Sequence, residues 1–312
     1  MNHSPKISLV LPTYNDSQYI EQALNSALNQ TYTDFEIIVV DDGSTDNTRD
    51  LVDKYGNSIG YIYQENQGLA SARNTGIEAS KGKFLAFLDA DDWFAENNLE
   101  AKASFLDKHQ DVGWVYSDWQ YVDDEGNYLD KGSTRFKFST KKVTGHIFPE
   151  LVYNRNFISP CSAVIKKTAL EAIGGFDPKV VCQEDWDLWL RLSLKYSVQY
   201  IDEVLVFVLD RANSLSKDST KWALGNAFIV DKIENMIPDD FPERKRVLAR
   251  LHADKYTFLA RDFVRRGQIS NALHAYLRSI KHLPYQKRVY WLTVLASLRF
   301  LKERKDRNQM LD

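Results

Sequence analysis

Lys83-Phe84-Leu85-Ala86-Phe87-Leu88-Asp89-Ala90-Asp91-Asp92-Trp93-Phe94 decides how the rest of the chain reads. The run from Phe84 to Leu88 has the length and unbroken apolarity of a strand buried on both faces. It ends in three carboxylates, Asp89, Asp91 and Asp92. Asp89 and Asp91 are two residues apart, so an extended backbone would point both side chains the same way, toward one hard cation that phosphate oxygens would also ligate. Taken alone, so short a motif also fits a solvated acidic turn.

The residues upstream repeat the pattern. Ile7 to Leu11 reads as a buried strand closing at Pro12-Thr13-Tyr14-Asn15-Asp16, and Ile20, Ala23, Leu24, Ala27 and Leu28 form one face of a helix. Phe35 to Val40 is a second strand ending in Asp41-Asp42. Gly43-Ser44-Thr45 follows, with Ser44 or Thr45 expected to cap a helix that runs to about Tyr55 and stops at Gly56. Ile59 to Tyr63 makes a third strand and Gly68 to about Ala79 a third helix. Strand and helix in strict alternation require crossover connections, hence an α/β fold with a mainly parallel sheet flanked by helices. Ligands of such sheets collect outside the carboxyl ends of the strands, which here carry Tyr14-Asn15, Asp41-Asp42 and Asp89-Ala90-Asp91. The Gly-rich turn of a dinucleotide site and the P-loop pattern are both missing.

Composition narrows the partners. A chain of 312 residues with 44% hydrophobic content supports a large domain plus an accessory one, here expected as residues 1–219 and 220–312. A formal net charge of −3 offers no basic field for nucleic acid. Cys161 and Cys182 lack metal-ligand spacing and read as buried reduced thiols. The apolar start is interrupted at Pro12, and no apolar run reaches the roughly 18 residues of a spanning helix, so a cytoplasmic location is the expectation.

Downstream, Val112 to Val122 reads as strand and Asp123 to Asn127 as a hairpin turn. The polar stretch from Lys131 to Thr144, with Arg135, Lys137, Lys141 and Lys142, reads as a solvated loop or as a contact for an acceptor or lipid phosphate. Ser162 to Lys166 is another strand, and a short helix from Thr168 stops at Gly174-Gly175. Glu184-Asp185 then opens a helix carrying Leu188, Trp189, Leu190 and Leu192; its N-terminal dipole favours ionised carboxylates, and simple capping by Asp185 is the alternative role. Val204 to Val208 is a strand leading into Asp210-Arg211-Ala212-Asn213-Ser214-Leu215-Ser216. From about Thr220 the pattern is helical, broken at Pro238 and Pro242. Asp262 to Pro284 has the outline of one tetratricopeptide-like hairpin, too little for a repeat array. In the last helix Trp291, Val294, Leu295, Leu298 and Leu301 share a face expected to pack on the preceding helices, with a basic fringe suited to an anionic membrane surface.

Four of these stretches, Pro12 to Asn15, Val39 to Asp46, Asn66 to Asn74 and Leu88 to Asp92, resemble in order and interval the signatures of the family 2 glycosyltransferases, inverting nucleotide-sugar enzymes with the GT-A fold. The resemblance covers residues 5 to 216 and implies the following roles. Pro12, Tyr14, Asp41 and Asp42 would border the nucleotide, Tyr14 against the uracil and Asp41 accepting from its ring N–H. Arg73 would meet the diphosphate or brace Asp41; Asp89 would approach the ribose or the metal, and Asp91 would coordinate Mn²⁺ or Mg²⁺. Glu184-Asp185 matches the general-base motif, with Asp185 as base and Glu184 supporting it. Where the family often has a histidine before Asn-Ser, this chain has Arg211, and Leu209 stands where an arginine is common. A guanidinium cannot ligate a metal but can hold diphosphate oxygens, so Arg211 reads as a clamp on the leaving group.

The function implied is a metal-dependent inverting transfer of a sugar from a UDP-sugar to a hydroxyl of a glycan or lipid-linked acceptor, in bacterial surface-polysaccharide synthesis, at or near the inner face of the cell membrane. A sugar nucleotidyltransferase would need a Gly-rich phosphate loop that Pro12 to Asn15 does not provide. A non-catalytic nucleotide-sugar-binding subunit would have no need of Asp41, Asp89, Asp91 and Asp185 together.

Overall fold

A computed structural model describes residues 4–129, 143–211 and 218–309. The basic stretch holding Arg135, Lys137, Lys141 and Lys142 and the segment Asn213 to Ser216 lie outside them. The chain divides into two compact units, Met1–Ser214 and Leu215–Asp312.

The first unit is built on one sheet. Its strands are β1 (Ile7–Thr13), β2 (Phe35–Asp41), β3 (Gly60–Tyr63), β4 (Phe84–Phe87), β5 (Trp93–Phe94), β6 (Val112–Val122), β7 (Ala163–Lys166) and β8 (Ser197–Leu209), in the spatial order β3-β2-β1-β4-β7-β6-β8-β5. The first four pair in parallel, and β6 is parallel to β8. Only β7 and the two-residue edge strand β5 run the other way. Every residue of β1 and β4 is buried, as a strand covered on both faces demands. On one face Ile7, Leu9 and Leu11 join Phe84 and Ala86 against Ile20, Ala23, Leu24 and Ala27 of α1 (Ile20–Leu28) and Leu99, Ala103 and Leu106 of α4 (Asn98–Lys108). Against the other face lies α3 (Leu69–Ala79), where a Cβ on Gly76 would collide with Val10.

Between them, α2 (Thr48–Asp53) is shorter than the sequence suggests. Ser44 does not cap it; the Asp46 carboxylate accepts from the Thr48 amide at 3.0 Å and hydroxyl at 2.6 Å instead. Ser44 and Thr45 are used elsewhere, as described below. Three further helices lie among the described residues of the unit: α5 (Phe148–Asn154), α6 (Lys167–Glu171) and α7 (Glu184–Ser193).

The strand order reverses between β1 and β4, and there the sheet opens. Their pairing ends at Val10 and Phe87, with a last bond from the Leu88 amide to the Val10 carbonyl at 3.0 Å. Pro12, two residues on, has no N–H to offer a neighbour, so the strands part without leaving a donor unpaired. The crevice of an open α/β sheet forms at such a switch point. The acidic stretch is therefore not extended. Past Phe87 it closes into a turn in which the Asp92 amide donates to the Asp89 carbonyl at 3.0 Å, so Asp89 and Asp91 do not share one face of an extended strand.

The second unit is helical: α8 (Ser219–Glu234), α9 (Arg244–Arg265), α10 (Ile269–His282) and α11 (Lys287–Gln309). Asp218 caps α8 by accepting from the amides of Thr220 and Lys221, each at 3.0 Å. Gly267, at φ +72°, turns α9 into α10, and the Ser279 hydroxyl donates to the Ala253 carbonyl at 2.8 Å where the two helices touch. Ala260, Ala275, Tyr276, Val289 and Ala296 form the core, with Leu292 against it. This corrects the reading of α11. Val289, Leu292 and Ala296 face inward, whereas Trp291, Val294, Leu295, Leu298 and Leu301, the face expected to pack, are exposed by 44 to 63%. No helix of the described residues is long and apolar enough to cross a membrane.

Candidate functional site

The loops after β1 and β2 are laced together. Asn15, held at φ +56°, donates its amide to the Ser44 hydroxyl at 2.9 Å and accepts from the Thr45 amide at 2.8 Å, while the Ser17 amide reaches Asp46 at 3.0 Å. Tyr14 stands out from this base, 48% exposed, with its ring open to a ligand. Pro12 is buried within β1 and acts on the crevice through the backbone.

Asp41 and Asp42, at the end of β2, are only 1% and 3% exposed. Asp41 accepts from the Ser44 amide at 2.8 Å and from the Tyr61 hydroxyl at 2.7 Å, a partner on β3 with no sequence signal. Burial and that bond raise the Tyr61 hydroxyl well above its ordinary range, so it stays a donor. Asp42 turns to the entry of α3, accepting from the amides of Gln67 at 2.9 Å and Gly68 at 2.8 Å and from the Gln64 side chain at 2.7 Å. A carboxylate at that helix start satisfies orphan amides and complements the dipole.

Arg73, on α3 and 1% exposed, does not brace Asp41. One of its terminal nitrogens lies 2.7 Å from Asp89 and the other 2.6 Å from Glu184, so a single guanidinium joins the end of β4 to the start of α7. Its neighbour Asn74 completes the junction. The Asn74 side chain donates to the Phe176 carbonyl at 2.8 Å and accepts from the Phe176 amide at 2.9 Å, fixing the turn in which Gly174 and Gly175 take φ +78° and +67°. The adjacent pair Arg73-Asn74 thus orders two segments about a hundred residues downstream.

Asp91 faces the second cation. Arg211, just past β8, lies 2.6 Å from Asp91 and 2.9 Å from Asp16, and its guanidinium also sits over the Tyr19 ring, 5.2 Å from the centroid. Burial pushes the Asp91 carboxyl up to about 6; Arg211 pulls it down, and Asp89 and Asp16 push it up again. Beneath, Asp92 accepts from the Leu209 amide at 3.1 Å and from the Cys161 thiol at 3.3 Å, tying the end of β8 to the acidic turn. Cys161 and Cys182 are both buried and not joined in a disulfide. Asp16 and Asp91 share Arg211, Asp89 pairs with Arg73, and the three carboxylates offer oxygen donors of the kind a hard divalent cation takes, with the two guanidinium groups offsetting their charge. The residues therefore fit Mn²⁺ or Mg²⁺. A tighter cluster of possible ligand atoms, from Asp89, Asp92 and Cys161, is already knit by its own hydrogen bonds.

Glu184 and Asp185 occupy the first turn of α7, entered through Gln183 in the left-handed conformation, φ +65°. Asp185 accepts from the Asn156 side chain at 2.6 Å and from the Trp186 amide at 2.8 Å. Burial pushes its carboxyl up to about 7, reinforced by Glu184 and opposed by Asn156 and Arg73, so burial outweighs the helix dipole. Asn156 belongs to no regular element. Its segment is pinned by indole N–H donors: Trp186 to the Leu151 carbonyl at 3.1 Å, Trp189 to Ile158 at 3.1 Å and Trp119 to Phe157 at 3.3 Å.

Known proteins resemble this chain in sequence and fold. The chain is 35% identical over 206 residues to the uncharacterized glycosyltransferase RP339 of Rickettsia prowazekii (strain Madrid E), a match that takes in 65% of this chain and 64% of that protein, just under two thirds of its length. It is 30% identical over 241 residues to a Bacillus subtilis (strain 168) protein named as a teichuronic acid biosynthesis glycosyltransferase, TuaG, across 75% of this chain and 91% of the other. Its fold is similar to that of S. aureus TarS 1-349, crystallised with UDP-GlcNAc, at a TM-score of 0.67 and 23% identity over 91% of this chain and 82% of that one. The likeness identifies the fold as GT-A. The description of glycosyl transferase family 2 matches residues 8–174, and with more than half its length matched the chain belongs to that family.

Proposed function

We propose that the chain is a metal-dependent inverting glycosyltransferase that moves a sugar from a UDP-sugar to a hydroxyl of a glycan or lipid-linked acceptor in surface-polysaccharide synthesis, working at the cytoplasmic face of the cell membrane. One observation carries the reading: a single buried guanidinium, Arg73, links the acidic end of β4 to a helix start where a carboxyl is held near neutrality. A general base works best with its pKa close to the working pH, and Asp185 meets that condition. Asn156 and the Trp186 amide hold the carboxylate in one orientation, from which it takes the acceptor hydroxyl's proton as that oxygen attacks the anomeric carbon opposite the UDP. Glu184 and Arg73 position the base and do not touch the sugar.

Asp91, with Asp89 and Asp16 beside it, would hold Mn²⁺ or Mg²⁺, which supplies charge neutralisation for the departing diphosphate. Arg211 pairs with Asp16 and Asp91 from the end of β8 and is the clamp for the same oxygens. Tyr14 stacks on the uracil and Asp41, fixed by Tyr61 and Ser44, reads its ring N–H. The complex of TarS with UDP-GlcNAc and the teichuronic acid biosynthesis in the name of TuaG agree with this substrate class.

The test is UDP release from a panel of UDP-sugars, with Mn²⁺ and with chelator, by the native chain, Asp185→Asn and Asp91→Asn. Metal-dependent release with one preferred sugar, lost in both variants, is the expected result. Metal-dependent UDP binding with equal and negligible release from every donor and acceptor mixture would instead make the chain a binding subunit.

A further inference from the structure

The exposed face of α11 has no use in the transfer chemistry. Trp291, Val294, Leu295, Leu298 and Leu301 follow one another at intervals of three and four residues, so they line one side of the helix. They are exposed by 63, 49, 44, 59 and 59%. Tyr290, half exposed, borders the same stripe, and Tyr285, 95% exposed, precedes the helix. Among the described residues, Val289, Leu292 and Ala296 form the inward side, in the core of the helical unit. The stripe is thus a second apolar face, distinct from the one in that core.

Charge says what covers it. Residues 287–309 carry seven Lys and Arg against Glu303 and Asp306. Arg288 and Arg299 are exposed and lie three turns apart on one flank of the stripe, and Lys302 and Lys305 continue the basic sequence toward the end of the helix. A large aromatic and aliphatic face rimmed by long basic side chains is the composition of a helix lying in a bilayer interface, with the tryptophan at headgroup depth and the cations on anionic phosphates. A second copy of the same face would bring this positive charge against itself.

We infer that the Trp291–Leu301 stripe of α11 seats the protein in the plane of an anionic lipid surface. The inference rests on the proposed function only for which membrane is met; the contact itself belongs to the helical unit and needs no sugar transfer.

The experiment is co-sedimentation of the full chain with phosphatidylcholine vesicles, with and without phosphatidylglycerol. The native chain is expected to partition at least about tenfold more strongly onto the anionic vesicles, a preference that Arg288→Glu with Arg299→Glu removes. Trp291→Glu with Leu298→Glu should lower partitioning by about tenfold or more. Both changes are at exposed positions, so circular dichroism and melting should match the native chain. No binding of the native chain to anionic vesicles, or undiminished binding by the Trp291/Leu298 variant, overturns the proposal. So does a native dimer that light scattering finds dissociated by the same substitutions, which would make a second copy the occupant. Because vesicle binding and UDP release are read separately, either can fail without the other.

Discussion

Asp185 carries two opposed consequences of burial. Its folded pKa of about 7 lies far above that of an unfolded aspartate, so the stabilisation it contributes is fully present below about pH 4 and is lost as pH rises through 7. Asp185→Asn should therefore melt higher than the native chain at pH 8, by a stability gain on the order of 1–3 kcal/mol, and show no gain at pH 4. The same substitution should cut transfer by about a hundredfold or more, and the native rate should fall on acidification below about pH 7. Pre-steady-state and pH–rate measurements check both, and an unchanged rate would reduce Asp185 to a structural carboxyl in the first turn of α7. Arg73→Met should cost about 3–5 kcal/mol in urea unfolding, because it strands Asp89 and Glu184 without their cation. Lysine should not restore it, being a point charge where a fork spans two carboxylates. Asp41, Asp91 and Asp185 are legible in the sequence through their motifs. Asn156, Tyr61 and Asp16 are not, because an amide in a loop, a phenol on a strand or a carboxylate in a turn gains its contacts only from what the fold brings across from another element. Arg73 is legible as a site residue but not by partner, since its links run 16 residues to Asp89 and 111 to Glu184.

Among the elements, the turn at Gly174-Gly175 is tied to the proposed base through Asn74, the neighbour of Arg73. A Cβ on Gly175 would stand 2.7 Å from the Asn74 side-chain oxygen, at a φ of +67° that an L side chain rarely adopts. Gly175→Ala is expected to cost about 1–3 kcal/mol and to slow transfer while leaving UDP affinity within about twofold, since the nucleotide is proposed to bind at the loops after β1 and β2, which this turn does not hold. Calorimetric UDP binding beside turnover separates the two effects; equal losses in both would refute the division. Where sequence and structure differ at this scale, the reasons are identifiable. The acidic stretch reads as extended because spacing alone cannot tell a strand end from a turn, and the Asp92-to-Asp89 bond makes it a turn. In α11 the period correctly gives an apolar arc, but a helix with two apolar arcs does not declare which one its neighbours cover. The capping of α2 passes to Asp46 because Ser44 and Thr45 are already committed to Asn15.

Across the whole first unit, the alternation of strand and helix up to Phe87 is readable, because each parallel strand is an apolar run and each crossover an amphipathic one. The later half is less so. Nothing local announces that β7 enters antiparallel between β4 and β6, or that a two-residue β5 closes the edge against β8. The site draws on both halves, from β1, β2 and β4 on one side and α7 and the end of β8 on the other. Ligand binding should therefore stabilise the unit as a body. UDP with Mn²⁺ at a hundred times its dissociation constant should add about 2.7 kcal/mol. Hydrogen exchange should slow at Asn15, Ser44, Trp186 and Arg211 together, and protection confined to the first two would mean that the two halves bind independently. One pair of rings also makes the fold observable without a label. Trp114 of β6 and Trp189 of α7 stack with centroids 4.9 Å apart and planes 4° from parallel, one helical turn from Asp185. Two indole transition dipoles held that closely couple as an exciton, so the near-ultraviolet circular dichroism of the native protein carries a spectral signature of α7 seated against the sheet, and its amplitude is a direct optical gauge of any change that shifts the base.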